Sequence, residues 1–168
     1  MPVIQKKICL LGDFAVGKTS LMRRFVEGCF DDKYLSTIGV KISRRTISRS
    51  SGEIKLIIWD LAGGDEFTAQ SSYLHGVAGA LIVCDLTRLD TMAAFQRYSA
   101  QVHQVNPNAP LVFLGNKVDL TDERKISDKN LQAASSAYGS PCFLSSAKTG
   151  EQVESAFLRL VEELEKVP

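Results

Sequence analysis

An open, doubly wound α/β domain is the fold class predicted by this 168-residue chain, and three observations predict it. Residues 8–11, 56–58, 80–84 and 111–114 are short uninterrupted apolar runs, the composition of strands covered on both faces of a largely parallel sheet. The intervals between them carry apolar residues at helical spacing, so each crossover is a helix. Residues 40–61 break the alternation: two strands meet at Ser50-Ser51-Gly52-Glu53 with no length for a crossover, which makes that pair antiparallel. The length and a hydrophobic share of 45% suit one buried core, so residues 1–168 are read as a single domain.

The elements follow in order. After the first strand comes Gly12-Asp13-Phe14-Ala15-Val16-Gly17-Lys18-Thr19, then a helix with the stripe Leu21, Met22, Phe25 and Val26. A second helical stripe is Met92, Phe95, Val102 and Val105 behind an Asp90 N-cap. Ser127 reads as the N-cap of a third helix, with Ile126 and Leu131 at hydrophobic-staple spacing. A sixth strand at Phe143-Leu144 leads to Thr149 and Gln152, a capping-box pattern before Val153, Ala156, Phe157, Leu160, Val161 and Leu164.

Composition narrows the functional classes. Twenty basic and nineteen acidic residues leave a net charge of +1, without long-range attraction to nucleic acid or acidic membranes. Cys9, Cys29, Cys84 and Cys142 lie far apart, with no C-x-x-C pair, and read as reduced thiols of a cytoplasmic protein. No run approaches the ~20 residues of a membrane span. Pro2 and the ending Glu165-Lys166-Val167-Pro168 offer neither a myristoylation glycine nor a prenylation cysteine, so no membrane anchor is expected in this chain.

The strand ends carry the chemistry. G-x-x-x-x-G-K-[ST] between a strand and a helix makes a concave receptor of inward-facing N–H groups at a helix N-terminus, a phosphate cradle. Lys18 adds charge for the outer phosphates, and Thr19 offers a hydroxyl to Mg²⁺. Asp60, in Asp60-Leu61-Ala62-Gly63, can hold that Mg²⁺ through water, while the Gly63 N–H can meet a γ-phosphate. Thr37 is a candidate second Mg²⁺ hydroxyl. In Asn116-Lys117-Val118-Asp119, Asp119 can accept the ring N–H and exocyclic amine that only guanine presents, and the Lys117 stem can pack along the base. Backbone of Ser146-Ala147-Lys148 can donate to the guanine oxygen.

GDFAVGKT, STIG, WDLAG, NKVD and SSAK, in this order and spacing, resemble the Ras superfamily of small GTPases, with wording nearest the Rab branch. The resemblance covers nearly the whole chain. It implies a P-loop NTPase G domain: a six-stranded, mostly parallel sheet with one antiparallel pair and helices on both faces. It also implies a GTP/GDP switch with Mg²⁺, whose effectors, exchange factors and activating proteins meet two switch segments. Nucleotide contacts carried over are residues 12–20 (Gly12, Asp13, Phe14, Ala15, Val16, Gly17, Lys18, Thr19 and Ser20), Phe30 against the base, and Tyr34 over the phosphates. Thr37, Gly63, Asn116, Lys117, Asp119, Ser146, Ala147 and Lys148 complete them. Thr19, Thr37 and Asp60 form the metal set, and Lys18, Thr37 and the position of Gly64 the catalytic one.

Two departures bear on turnover. Gly64 stands where the family usually has a glutamine that orients the attacking water, and Phe14 stands where it carries a small residue beside the path of an arginine finger. The segment from Asp60 to Gly76 is also one residue shorter than in typical Rabs. Weak hydrolysis is expected, with Asp65, Glu66 or Gln70 as alternative water-positioning groups. The other reading is a GTP-held adaptor without meaningful turnover. Gly63-Gly64-Asp65-Glu66-Phe67 also spells the signature of diguanylate cyclases, but it follows a buried strand directly and accompanies a phosphate loop foreign to them. Lys41, Arg44, Arg45 and Arg49 read as charges guarding an edge strand, His75 and His103 as surface or satisfied histidines, and Trp59 as core packing.

Overall fold

The computed structural model describes residues 3–30, 40–62 and 71–167. Six strands, β1 (Val3–Leu11), β2 (Val40–Arg49), β3 (Gly52–Leu61), β4 (Gly79–Asp85), β5 (Leu111–Asn116) and β6 (Cys142–Ser145), form one sheet in the order β2-β3-β1-β4-β5-β6. Every pairing is parallel except β2 with β3, which run antiparallel from Val40↔Leu61 to Arg49↔Gly52. The two-residue connection at Ser50-Ser51 leaves no alternative. Among the described residues four helices accompany the sheet: α1 (Lys18–Glu27), α2 (Ala94–Val105), α3 (Asp128–Ser136) and α4 (Val153–Glu165).

The strand alternation sorts the core into two layers. Ile8, Leu10, Ile54, Leu56, Ile58, Leu81 and Val83 face α1 and α4 with Leu21, Phe25, Phe157 and Leu160. Cys9, Leu11, Ile82, Cys84 and Phe113 face the other way, against Phe95, Tyr98 and Val102 of α2 and Leu131 of α3. β4 and β5 are buried at every position, which is why their sequences read as unbroken apolar runs. The strand order reverses beside β1, so the crevice for a ligand opens at its carboxyl end, where Leu11 runs into Gly12.

Helix entry is where expectation and structure part. Ser127 caps α3 as predicted, its side chain accepting the Asn130 N–H at 3.1 Å, with Ile126 and Leu131 buried in the same layer. Asp90 does not cap α2. A 3₁₀ turn (Leu89–Ala93) precedes that helix because the buried Thr91 hydroxyl is drawn to the end of β4, accepting the Asp85 N–H at 2.9 Å. Thr149 and Gln152 do not form a capping box either. Ser146 N–H donates to Glu151 O and Gly150 N–H to Ser146 O, closing residues 146–151 into a loop. Thr149 Oγ1 accepts the Glu151 N–H, and Gln152 takes a left-handed φ of 55°, so α4 begins only at Val153. Val105, assigned to the α2 stripe, is exposed at the helix end.

Trp59 is half-buried and packs against the second core layer, in keeping with core packing. Its ring lies 3.6 Å from Lys7 Nζ and 6.2 Å from the Tyr73 ring, and the same ammonium donates to His75 O at 2.7 Å. His75 is exposed, and His103 Nε2 meets Ala109 O at 3.0 Å. β2 is an edge strand, but two of its four basic residues bond to the helices packed behind it. Arg45 donates to both Glu154 oxygens at 2.8 and 2.7 Å and to Phe25 O at 2.9 Å, and Arg49 pairs with Glu165 at 2.9 Å. These bonds strap the edge strand to α1 and α4.

Candidate phosphate-binding site

The loop after β1 is built by an account of its carbonyls. Lys18 Nζ donates to Gly12 O at 3.0 Å and Asp13 O at 3.2 Å. Arg88 Nη1 donates to Phe14 O at 2.7 Å, Lys117 Nζ to Ala15 O at 3.1 Å, and Asn116 Nδ2 to Val16 O at 2.9 Å. Gly17 O accepts Leu21 N–H as the first bond of α1. Every carbonyl from Gly12 to Gly17 therefore has a donor on it. A peptide's N–H points opposite to its C=O, so holding these carbonyls turns the N–H groups of the loop toward a common concavity at the α1 N-terminus.

Two glycines are required by close approach. A Cβ on Gly12 would lie 2.5 Å from Val83 O, and one on Gly17 would strike Asn116 Nδ2, with φ 101° adding strain for any other residue. Ala15 and Lys117 take φ of 65° and 71°, a region costing a side-chain-bearing residue ~1–2 kcal/mol, and the Lys117 side chain donates to Ala15 O.

The ionisable groups at the loop are buried in proportion to their task. Lys18 is only 7% exposed, and burial pulls its ammonium below the ordinary lysine range, opposed by the charges of Asp60 and Asp13. A polyanion in the cradle removes that penalty by pairing the charge. Thr19 Oγ1 donates to the Asp60 carboxylate, which is fully buried. Among the described residues no three His, Cys, Asp or Glu side chains converge into a protein-only cage. A hydroxyl and a carboxylate side by side fit a hard divalent cation that takes its remaining oxygens from water and phosphate, as Mg²⁺ does.

The second half of the site is joined to the first by side chains. Asn116 Oδ1 accepts Ser145 Oγ at 3.3 Å while its amide holds Val16 O, and Asp119 Oδ1 accepts Ser146 Oγ at 2.8 Å. Arg24 of α1 donates to Ala147 O at 2.9 Å and to Lys148 O, fixing the 146–148 loop from beneath. Phe30 packs half-buried against the layer holding α1. Tyr34, Thr37, Gly63 and Gly64, with Asp65, Glu66 and Gln70, lie outside the described residues.

Sequence reasoning missed Asp85, Arg88 and Arg97. Asp85 is buried at the end of β4, pairs with Lys117 Nζ at 2.8 Å and accepts both Thr87 N–H and Oγ–H. A carboxylate closing an otherwise apolar run was the available signal. Arg97 pairs with the Asp13 carboxylate.

A family model described as "Ras family" matches residues 7–166. Among curated proteins, "Ras-related protein Rab-1C" of Dictyostelium discoideum is 35% identical over 162 residues, 95% of this chain and 81% of its own length. "Ras-related protein RABD1" of Arabidopsis thaliana is 36% identical over 162 residues, 95% of this chain and 79% of its own. "Ras-related protein RABD2c" of the same plant is 35% identical over 156 residues, covering 92% and 77%. With the cradle, the sheet order and a match spanning almost the full length in agreement, this chain belongs to the Ras family of small GTP-binding switch proteins.

Proposed function

We propose that the nucleotide is a guanine nucleotide whose phosphates occupy the concavity formed by residues 12–20 and whose base is read by Asp119. The observation that carries this reading is the direct bonding of the base-reading strand end to the phosphate loop: Asn116 to Val16 O and Lys117 to Ala15 O. Ser146 Oγ donates to the Asp119 carboxylate, and the backbone N–H groups of Ala147 and Lys148, next in the chain, would donate to the guanine oxygen. Phe30 and Tyr34 cover base and phosphates. Thr19, Thr37 and Asp60 hold Mg²⁺, which neutralises charge on the phosphates when bound. Thr37 and Gly63 respond to the γ-phosphate, and effector and regulator proteins bind the segments that carry them, in the cytoplasm, on this single domain.

Hydrolysis joins a water oxygen to the γ-phosphorus as the bridging oxygen leaves on GDP, and the protein's part is to position and to stabilise charge. Lys18 supplies charge at the outer phosphates. Gly64 has no side chain to orient water, and Phe14, 58% exposed on the outer rim of the loop, crowds an incoming arginine. The protein is therefore a slow GTPase that stays mostly GTP-loaded, at or below ~10⁻⁴ per second, and gains little from activators that normally add ~10³- to 10⁵-fold.

Single-turnover hydrolysis of the unaltered protein, Gly64→Gln, Phe14→Gly and the double variant tests this. Gly64→Gln raises the intrinsic rate modestly, and activator sensitivity appears only with Phe14→Gly added. An unaltered protein as fast as Gly64→Gln would mean that Asp65, Glu66 or Gln70 already positions the water.

A further inference from the structure

The carbonyls of the phosphate loop are held from two sides, and one holder belongs to no sequence motif. Lys18, Asn116 and Lys117 lie in the motif segments. Arg88 comes instead from the turn after β4, and its Nη1 donates to Phe14 O at 2.7 Å. That turn is rigid. Arg88 N–H donates to Asp85 O at 2.9 Å, and Arg88 O accepts the N–H of the buried Thr91 at 3.1 Å, with Thr91 Oγ1 at 2.7 Å. The same turn carries Asp85, which orients Lys117 onto Ala15 O. Two consecutive loop carbonyls, 14 and 15, are thus governed from the end of β4. Among the described residues Asp90 also approaches Arg88, at 4.0 Å.

Phe14 C=O and Ala15 N–H share one peptide plane and point in opposite directions. Ala15 sits at φ 65°, so rotation of that plane would relieve strain while turning the Ala15 N–H away from the concavity. We propose that Arg88 is a positioning residue for nucleotide binding: by holding Phe14 O outward it keeps the Ala15 N–H aimed at the phosphates of the bound guanine nucleotide. The inference rests on the nucleotide reading above.

Release of fluorescently labelled GDP from the whole protein, with Mg²⁺ and with EDTA, tests it. Loss of one charge-assisted hydrogen bond at a half-exposed site predicts release about five- to tenfold faster in Arg88→Ala under both conditions, since the residue acts on the loop and not on the metal. Arg88→Lys, which keeps a cationic donor, stays within about twofold of the unaltered protein. Ala15→Gly removes the strain that favours rotation, so in the Arg88→Ala background it restores part of the slow release. A role in fold stability alone would not respond to Ala15→Gly in this way. Release from Arg88→Ala at the unaltered rate, or an acceleration that Ala15→Gly leaves untouched, overturns the proposal. Failure of labelled GDP to bind the unaltered protein overturns the nucleotide reading itself.

Discussion

At the residue scale, the strongest expectation rests on Asp119, whose carboxylate is held by Ser146 Oγ and matches donors that adenine lacks. Asp119→Ala should weaken GDP binding by several kcal/mol, and ATP should barely displace labelled GDP from the unaltered protein. Displacement by ATP at similar concentrations would refute guanine selectivity. The thiols give a pH prediction. Burial pushes the Cys9 thiol up to about 12 and the Cys142 thiol up to about 11, against an ordinary value of 9.0. A pKa raised by folding stabilises fully below pH ~9, and that contribution is lost as pH rises from there toward 11 and 12. The urea midpoint should therefore fall between pH 8 and pH 10.5, and fall less for Cys9→Ala. The motif residues were legible because each acts within a few positions of its neighbours. Asp85, Arg88 and Arg97 were not, because their partners lie 32, 74 and 84 residues away in the chain, where spacing carries no signal.

At the element scale, strands were more legible than helix starts. Burial on one or both faces writes itself into composition, whereas a cap depends on the path of the chain just before the helix. Thr149 and Gln152 have the right spacing, but the 146–151 loop claims Thr149 for its own backbone. The basic residues of β2 were read as guards of a free edge, yet Arg45 reaches across to α4 and lies 4.2 Å over the Phe25 ring, itself stacked on Phe157 at 4.0 Å. Arg45→Ala should cost about 1 kcal/mol, mostly by uncovering that ring and Phe25 O, since the Glu154 pair is half-exposed. Phe157→Ala should cost about 3–5 kcal/mol, because the ring is fully buried. Denaturant unfolding of Arg45→Ala, Glu154→Ala and the double variant separates packing from pairing: a coupling near zero assigns the effect to packing.

At the scale of the whole molecule, both halves of the site emerge at one end of the sheet, so the phosphate loop and the residues proposed to hold the metal and to read the base are assembled by topology from stretches about a hundred residues apart. That assembly could be inferred from motifs that all fall at strand ends of a doubly wound sheet, but the cross-bonding that makes the halves one unit could not. It predicts that Asn116→Ala disturbs more than the base: by freeing Val16 O it should hasten release of GDP and also lower thermal stability, as measured by nucleotide-release kinetics and melting of the complex. The alternation of β3 has a further corollary. Ile54, Leu56, Ile58 and Asp60 occupy one phase of the strand, and Lys55, Ile57 and Trp59 the other, so the buried Asp60 carboxylate rides at the tip of a greasy stripe. Only parity separates Asp60 from Trp59. One residue inserted between Ile58 and Asp60 would rotate the carboxylate to the indole's side and away from Thr19, leaving a sheet of the same shape without the hydroxyl–carboxylate pair proposed to hold the cation.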